Sequence, residues 1–352
     1  MKSQKLIEGK AITIYDIAKE AGVSPATVSR VLTNKTNVSQ KKKDKVQALI
    51  NKYDYRPNAL ARGLSDTKSK VIGIIAADIR NPFYAEVFVA CEIAAKEAGY
   101  TVLLCNSFGL TELEEEQLDM LQQQKVDVII QLGGRADDLI SDQEYVEKVN
   151  SINKYIPMVV TGKLEGTQCY QVQIDAEKAA ELVLEHLIGM GHKKIVLMGG
   201  RKTVVSTYAK YQEYKKILQK YSIDFHEDNV IEGNYDYDTG YASMNQLIDK
   251  KNLPTAVVAI NDFLAAGVIR SLHEHGYVIP DDISVVSYDN VYIANMLTPK
   301  LTSVDYNYED FGKALVETAI SIVEKKQKPL LQKVIPTLVI RESSGVAPMH
   351  LN

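Results

Sequence analysis

Three cysteines in 352 residues are too few, and too widely spaced, for a disulfide scaffold. Cys91, Cys105 and Cys169 each sit in or beside an apolar segment, so buried, reduced thiols are the expectation. Neither they nor the six histidines show metal-ligand spacing; His273 and His275 are two apart, which puts them on different faces of a helix. No stretch approaches the roughly 20 apolar residues needed to span a bilayer. The opening MKSQKLIEGK is polar and basic rather than a leader, so a cytoplasmic protein that does not meet the membrane is expected. Enzyme signatures are missing too: there is no Walker sequence, GxSxG elbow or HExxH. Gly189-Met190-Gly191 follows a helix and precedes a strand, whereas a dinucleotide fingerprint needs the reverse order. The acidic run Glu112 to Glu116 reads as the solvated start of a helix, where the dipole favours it. No catalysis, no cofactor and no metal are therefore expected.

What the chain does have is charge segregated along its length. Residues 1–70 carry a net +9 and the remainder −13, the balance expected if one end neutralises phosphates and an acidic body stays clear of them. Inside the basic head, TIYDIAKEAGVSPATVSRVL spells two short helices and a tight turn. Thr13 caps the first, with Asp16 in the acidic place of a capping box, and Ile14, Ile17, Ala18 and Ala21 form its apolar stripe. Gly22 ends it, Val23 packs inward, and Ser24 caps a second helix that starts at Pro25, where a missing N–H costs nothing. Val28, Val31 and Leu32 face inward. Pro25, Ala26, Ser29 and Arg30 are left on an open face suited to the major groove of DNA. Ser39 caps a third helix, QKKKDKVQALINKY, and Pro57 then breaks the chain before a short segment, Asn58 to Leu64.

From Lys70 onward strand and helix alternate: KVIGIIAADI, EVFVACEIAAKEAGY, TVLLCNS, EEEQLDMLQQQK, VDVIIQL and PMVVTG make one parallel α/β unit. A second begins near YQVQID and repeats the order through KIVLMGG, NVIEGNY, AVVAIN and ISVVSYDN. Two doubly wound lobes in tandem point their strand C-terminal ends at a shared cleft, where ligands bind such sheets. Asn261 and Asp289 each end an apolar strand, poorly placed for packing and well placed to meet a ligand hydroxyl, although a helix cap or a lobe-to-lobe link would also account for Asp289.

The helix-turn-helix stretch followed by YRPNALARGL resembles the bacterial repressor family that includes the lac and purine repressors. NPFYAEV, GMGHKKIVLMGG, IND and SVVSYDN extend the match over nearly the whole chain. The resemblance implies an all-α helix-turn-helix head (1–56), a hinge helix and linker (57–69) and a two-lobed α/β effector-binding and dimerisation domain like the periplasmic sugar-binding proteins (70–345). Lobe 1 is expected over 70–170 and 298–328 and lobe 2 over 171–297 and 329–345, with the crossover back to lobe 1 just after Asn290. It implies a DNA-contact set of Thr13, Ser24, Pro25, Ala26, Thr27, Ser29, Arg30, Asn34, Asn58, Ala61 and Leu64, with Arg30 reading a base edge and Leu64 prying apart a central step in the minor groove. Anchoring the linker against the first lobe is the plainer role for Leu64.

For the effector it implies Phe83, Tyr84, Ser206, Lys210, Tyr235, Asn261 and Asp289. The aromatic pair would face the apolar side of a pyranose or a base, or simply pack between lobes. Lys210 departs from the family's arginine, replacing a planar fork by a point charge. The expected partners are a palindromic DNA operator, a sugar or sugar-phosphate effector and a second copy of the chain; the final residues lack the leucine-heptad tail that makes tetramers. A stand-alone sugar carrier would explain the lobes but not the basic head. A phosphorylated carrier protein, the corepressor in one branch of the family, is a further alternative.

Overall fold

The computed structural model describes residues 12–32, 38–55 and 68–348. It falls into two compact units, Met1–Ser69 and Lys70–Asn352. Asn34, and the hinge residues Asn58, Ala61 and Leu64, lie outside the described residues.

In the first unit, helices α1 (Ile14–Ala21), α2 (Pro25–Leu32) and α3 (Gln40–Lys52) pack around Ile17, Val28 and Val46, each fully buried. Burying side chains of this size stabilises by roughly 1.5–3 kcal/mol apiece. The α1 start is a capping box: Thr13 Oγ1 accepts from the Asp16 N–H, and the Asp16 carboxylate accepts from the Thr13 N–H at 2.9 Å. Gly22 closes α1 in the left-handed region at φ 68°, which a side chain at that position would resist by roughly 1–2 kcal/mol. Ser24 Oγ then accepts from the Thr27 N–H at 3.2 Å and starts α2. Ser39 stands at the N-cap of α3, but its hydroxyl makes no capping bond. Glu20 fastens α1 to the end of α3 by accepting from Lys52 Nζ and the Tyr53 hydroxyl, both at 2.7 Å.

The second unit holds two six-stranded sheets. Lobe 1 is built on β1 (Val71–Ala76), β2 (Thr101–Asn106), β3 (Val128–Leu132), β4 (Met158–Val160), β5 (Tyr170–Ile174) and β11 (Leu331–Val334), in the order β11-β5-β4-β3-β1-β2. Every neighbouring pair is parallel. Helices α4 (Pro82–Glu97), α5 (Thr111–Gln123), α6 (Gln143–Asn153) and α12 (Tyr308–Val323) cover it. Lobe 2 has β6 (Ile195–Met198), β7 (Val230–Ile231), β8 (Ala256–Ala259), β9 (Ser284–Asp289), β10 (Thr302–Asp305) and β12 (Thr337–Val339), in the order β12-β10-β9-β8-β6-β7. Only β12 is antiparallel to its neighbour. Its helices are α7 (Ala176–Gly189), α8 (Val205–Lys220), α9 (Tyr237–Asp249), α10 (Asp262–Glu274) and the short α11 (Ile293–Met296). Central strands such as β3 and β8 are buried on both faces, which is why they read as unbroken apolar runs.

The lobe boundaries differ from the sequence expectation at all three crossovers. YQVQI is not the first strand of lobe 2: β5 pairs with β4 and β11 in the sheet of lobe 1. The chain does not return to lobe 1 after Asn290 or at residue 298, because β10 pairs with β9 from Thr302↔Val286 to Asp305↔Asp289. The return comes between Asp305 and Tyr308. β11, expected in lobe 2, belongs to lobe 1, and β12 alone goes back. The reason is composition. TSVD, YQVQI and LQKV are short strands rich in polar residues, and an apolar-run criterion does not register them. Glu114 is a further correction. Instead of starting a helix in solvent it is buried, its carboxylate 3.0 Å from Arg135 Nε. Cys91, Cys105 and Cys169 are free and buried.

Candidate DNA-reading face and inter-lobe cleft

On the head, the inward residues of α2 converge on Val28, which is fully buried. One turn round the helix, Ala26 and Arg30 are exposed, and Pro25, Thr27 and Ser29 half-buried. Ser24 is exposed and its hydroxyl is engaged at the helix start. Thr13 is exposed as well, with its Oγ1 2.7 Å from the Asp16 carboxylate. A long cationic side chain and small neighbours on one open face form a surface that can approach a groove closely and read a base edge.

The cleft is assembled from loops past the C-terminal ends of both sheets. From lobe 2, α8 contributes Ser206, Thr207 and Lys210 on successive inner positions. Lys210 is only 7% exposed, with its ammonium over the rings of Tyr288 and Tyr306 at 4.9 and 5.9 Å. Burial pushes its pKa down, against the pull of Asp289 and Asp137. Asp289, at the end of β9, is buried and adopts φ 99°. A non-glycine residue pays about 1–3 kcal/mol for such a backbone, and this strain concentrates at functional positions. Burial and the charge of Asp262 raise its pKa to about 8, although the Tyr306 hydroxyl donates to it. The Tyr235 hydroxyl lies 2.9 Å from Thr207 Oγ1 and accepts from the Arg201 N–H at 3.3 Å.

From lobe 1, Phe83 and Tyr84 follow β1 and make an edge-to-face pair with centroids 5.1 Å apart. Phe83 also meets Tyr306 at 5.9 Å and Tyr308 at 6.1 Å. The Tyr84 phenol rests on Gly133, where a Cβ would lie 2.3 Å from its hydroxyl oxygen. Beyond β3, Asp137 crosses to lobe 2, its carboxylate accepting from Ser206 Oγ at 2.7 Å. Burial raises its pKa to about 6.

Ser206, Lys210, Tyr235, Asp289, Phe83 and Tyr84 are thus gathered where the two lobes meet. Asn261 is turned to another task. Its Oδ1 accepts from the Leu264 N–H at 2.8 Å as the N-cap of α10, and its Nδ2 donates to the Tyr235 carbonyl at 2.9 Å, so it shapes the cleft wall. Asp262, the next residue, is a buried anchor. It accepts from Ser303 Oγ at 2.6 Å, from the Val291 N–H at 2.7 Å and from Ser287 Oγ. Sequence reasoning missed Asp137, Thr207, Tyr288, Tyr306 and Tyr308. For Asp137 the signal was present: a carboxylate just past a strand end, the criterion that found Asp289.

Residues 13–58 match the family model "Bacterial regulatory proteins, lacI family", and residues 184–344 match a "Periplasmic binding protein-like domain". The chain is 34% identical over 317 residues to catabolite control protein A of Priestia megaterium, covering 90% of this chain and 93% of that one. It is also 34% identical over 344 residues to the HTH-type transcriptional repressor PurR of Yersinia enterocolitica, covering 96% and 98%. Among solved structures, the lac repressor dimer bound to operator and the anti-inducer ONPF superposes with a TM-score of 0.85 at 25% identity, covering 96% of this chain and 100% of that one. The regulator CelR in complex with cellobiose gives 0.69 at 25% identity, covering 95% and 100%. With its helix-turn-helix head and two-lobed effector-binding domain, this chain belongs to the lacI family of DNA-binding transcriptional repressors and is not an enzyme.

Proposed function

We propose that this repressor controls a carbohydrate-use operon as a homodimer on a palindromic operator, and that its effector is a neutral sugar or polyol held in the inter-lobe cleft. The observation that carries the reading is the placement of Asp289, on a strained backbone, beside the rings of Tyr288 and Tyr306 and the ammonium of Lys210. Aromatic faces suit the apolar side of a pyranose, and a carboxylate accepts from paired hydroxyls. Lys210, whose charged form burial disfavours, stands beside two acids, Asp137 and Asp289, so the site has no surplus of positive charge for a dianionic sugar phosphate.

A nucleobase is the second reading, supported by the similarity to the purine-named relative PurR. A protein corepressor on the outer face of lobe 1 would leave the cleft chemistry idle. A thermal-shift screen with neutral sugars, sugar phosphates and nucleobases separates these, because a ligand of the folded state raises its stability by RT ln(1 + [L]/Kd). A neutral sugar that shifts the melt of the wild type and not of Asp289→Asn is the expected result. A shift by nucleobases alone would replace the sugar reading.

A further inference from the structure

A rigidly held finger, residues 133–140, carries lobe 1 to lobe 2. Its base is fixed from three sides. Arg135 is paired with Glu114 and lies over the Tyr145 ring with its guanidinium carbon 3.8 Å from the centroid. Gly133 and Gly134 take φ 68° and 67°, and a Cβ on Gly134 would fall 2.0 Å from Glu114 Oε2. Gly162 lets the finger pass, since a Cβ there would lie 2.0 Å from the Ala136 carbonyl oxygen. The tip docks as a short antiparallel bridge, Asp138 against Val204, and the Leu139 N–H donates to the Thr203 carbonyl at 2.7 Å.

That docking delivers Asp137 to the N-terminus of α8. The helix has no cap of its own: Val204 stands at its N-cap and its first turn holds no acidic residue. Asp137 stands there from the opposite lobe, accepting from Ser206 Oγ at 2.7 Å. Lys210, one turn further along α8 and more than nine-tenths buried, makes no hydrogen bond among the described residues and feels Asp289 and, less strongly, Asp137 through space. A helix N-terminus, a hydroxyl and an ammonium with no hydrogen-bond partner together form an anion cradle. In this molecule the anion is its own.

We propose that Asp137 is a tethered anion that latches the lobes shut without effector and bars small anions from the cradle formed by the α8 N-terminus, Ser206 and Lys210. The latch uses the cleft of the proposed function but does not depend on which effector fills it. A charge-assisted bond between two bodies joined by short crossovers shifts their closed-to-open ratio by about tenfold or more.

The test reads lobe separation in the full-length, effector-free protein. Spin labels go on Tyr155→Cys in lobe 1 and Lys250→Cys in lobe 2, both exposed; the native thiols are buried and do not compete. The expected result is a narrow distance distribution in the otherwise wild-type protein and a broader, longer one in Asp137→Ala and in Ser206→Ala. Distributions that do not change in Asp137→Ala overturn the latch. The second measurement is the melting temperature with added sodium sulfate, with sodium chloride at matched ionic strength as control. Asp137→Ala should gain a saturable, sulfate-specific rise that the wild type lacks and that Asp137→Ala/Lys210→Met loses. Equal response of wild type and Asp137→Ala overturns the cradle. Neither measurement involves a sugar, so a failed effector screen and a failed latch are separate results.

Discussion

Removing Arg135 should expose how much of lobe 1 rests on one buried ion pair. Its side chain is 9% exposed and that of Glu114 4%, with Nε 3.0 Å from Oε1. Arg135 also donates to Glu115 at 3.0 Å and to the Thr111 carbonyl at 3.1 Å. Burial already holds the Glu114 pKa above the usual carboxylate range, against the pull of Arg135. Arg135→Ala takes that pull away and leaves a buried acid with no compensating charge. Breaking such a pair from one side typically costs about 3–5 kcal/mol, whereas replacing both partners by apolar groups of similar size is often neutral. The cation–π contact with Tyr145 adds roughly 1–2 kcal/mol to the loss. Urea unfolding of Arg135→Ala, Glu114→Leu and the double variant Arg135→Met/Glu114→Leu, followed by tyrosine fluorescence, completes a cycle. The single arginine variant should be the least stable of the set, with much of its loss recovered in the double variant. A loss below about 1 kcal/mol for Arg135→Ala, or a double variant no better than the single, would refute the reasoning.

Further outcomes follow from other residues. Arg30→Ala should weaken operator binding by about 1–3 kcal/mol per half-site and relax preference at one symmetric base pair; a gel-shift comparison in which operator and random DNA suffer equally would count against base reading. Burial raises the Asp262 pKa to about 6, so the folded state binds its proton more tightly than the unfolded chain does. The contribution of Asp262 to stability should therefore be greatest below about pH 4 and fall by about 3 kcal/mol as pH rises from 4 to 6. Asp262→Asn should lessen that slope in urea titrations at pH 4.5 and 7, at the expense of the bond from the Val291 N–H. Gly162→Ala forces a Cβ onto the Ala136 carbonyl and should cost about 1–3 kcal/mol, while Gly99→Ala, with open space around it but φ 74°, should cost only the left-handed strain.

The head and the lobes were legible because their signals are local. A capping box, a helix-ending glycine and a proline-led second helix fix α1 and α2 within a few residues of one another, and strands buried on both faces announce themselves by apolar runs. The lobe crossovers were not legible. Ser303 and Thr302 are fully buried on β10, and what makes them core residues is partners distant in sequence: Asp262 for one, Ser344 and the Arg341 N–H for the other. A polar strand becomes a central strand only when its hydrogen-bond partners arrive. Glu114 was misread for the same reason, since its neutralising arginine stands 21 residues away. The criterion of polar residues at strand ends picked out both Asp289 and Asn261, but could not tell a ligand contact from a helix cap, because both demand a short polar side chain at the same point of the backbone.

The arrangement of the crossovers explains why one contact between lobes can matter. The chain passes between the sheets at 174–176, 305–308 and 334–337, each a link of one or two residues. The links are tied to one another and to lobe 2: Asn307 Nδ2 donates to the Ile335 carbonyl at 2.7 Å, and Asn290 Nδ2 donates to the Asp305 carboxylate at 2.7 Å. Three short, mutually bonded links leave the lobes little freedom beyond rotation about one axis, so closure orders few degrees of freedom and costs little entropy. A single charge-assisted bond at the far edge of the cleft, such as Asp137 to Ser206, then has leverage over the whole equilibrium. An effector shifts that equilibrium only by the difference in its affinity for the two arrangements. A ligand that touches both lobes and leaves the Asp137 bond intact adds to closure, and one that must displace it loses that bond's contribution, so the side-chain chemistry at this corner bears on the sign of the response.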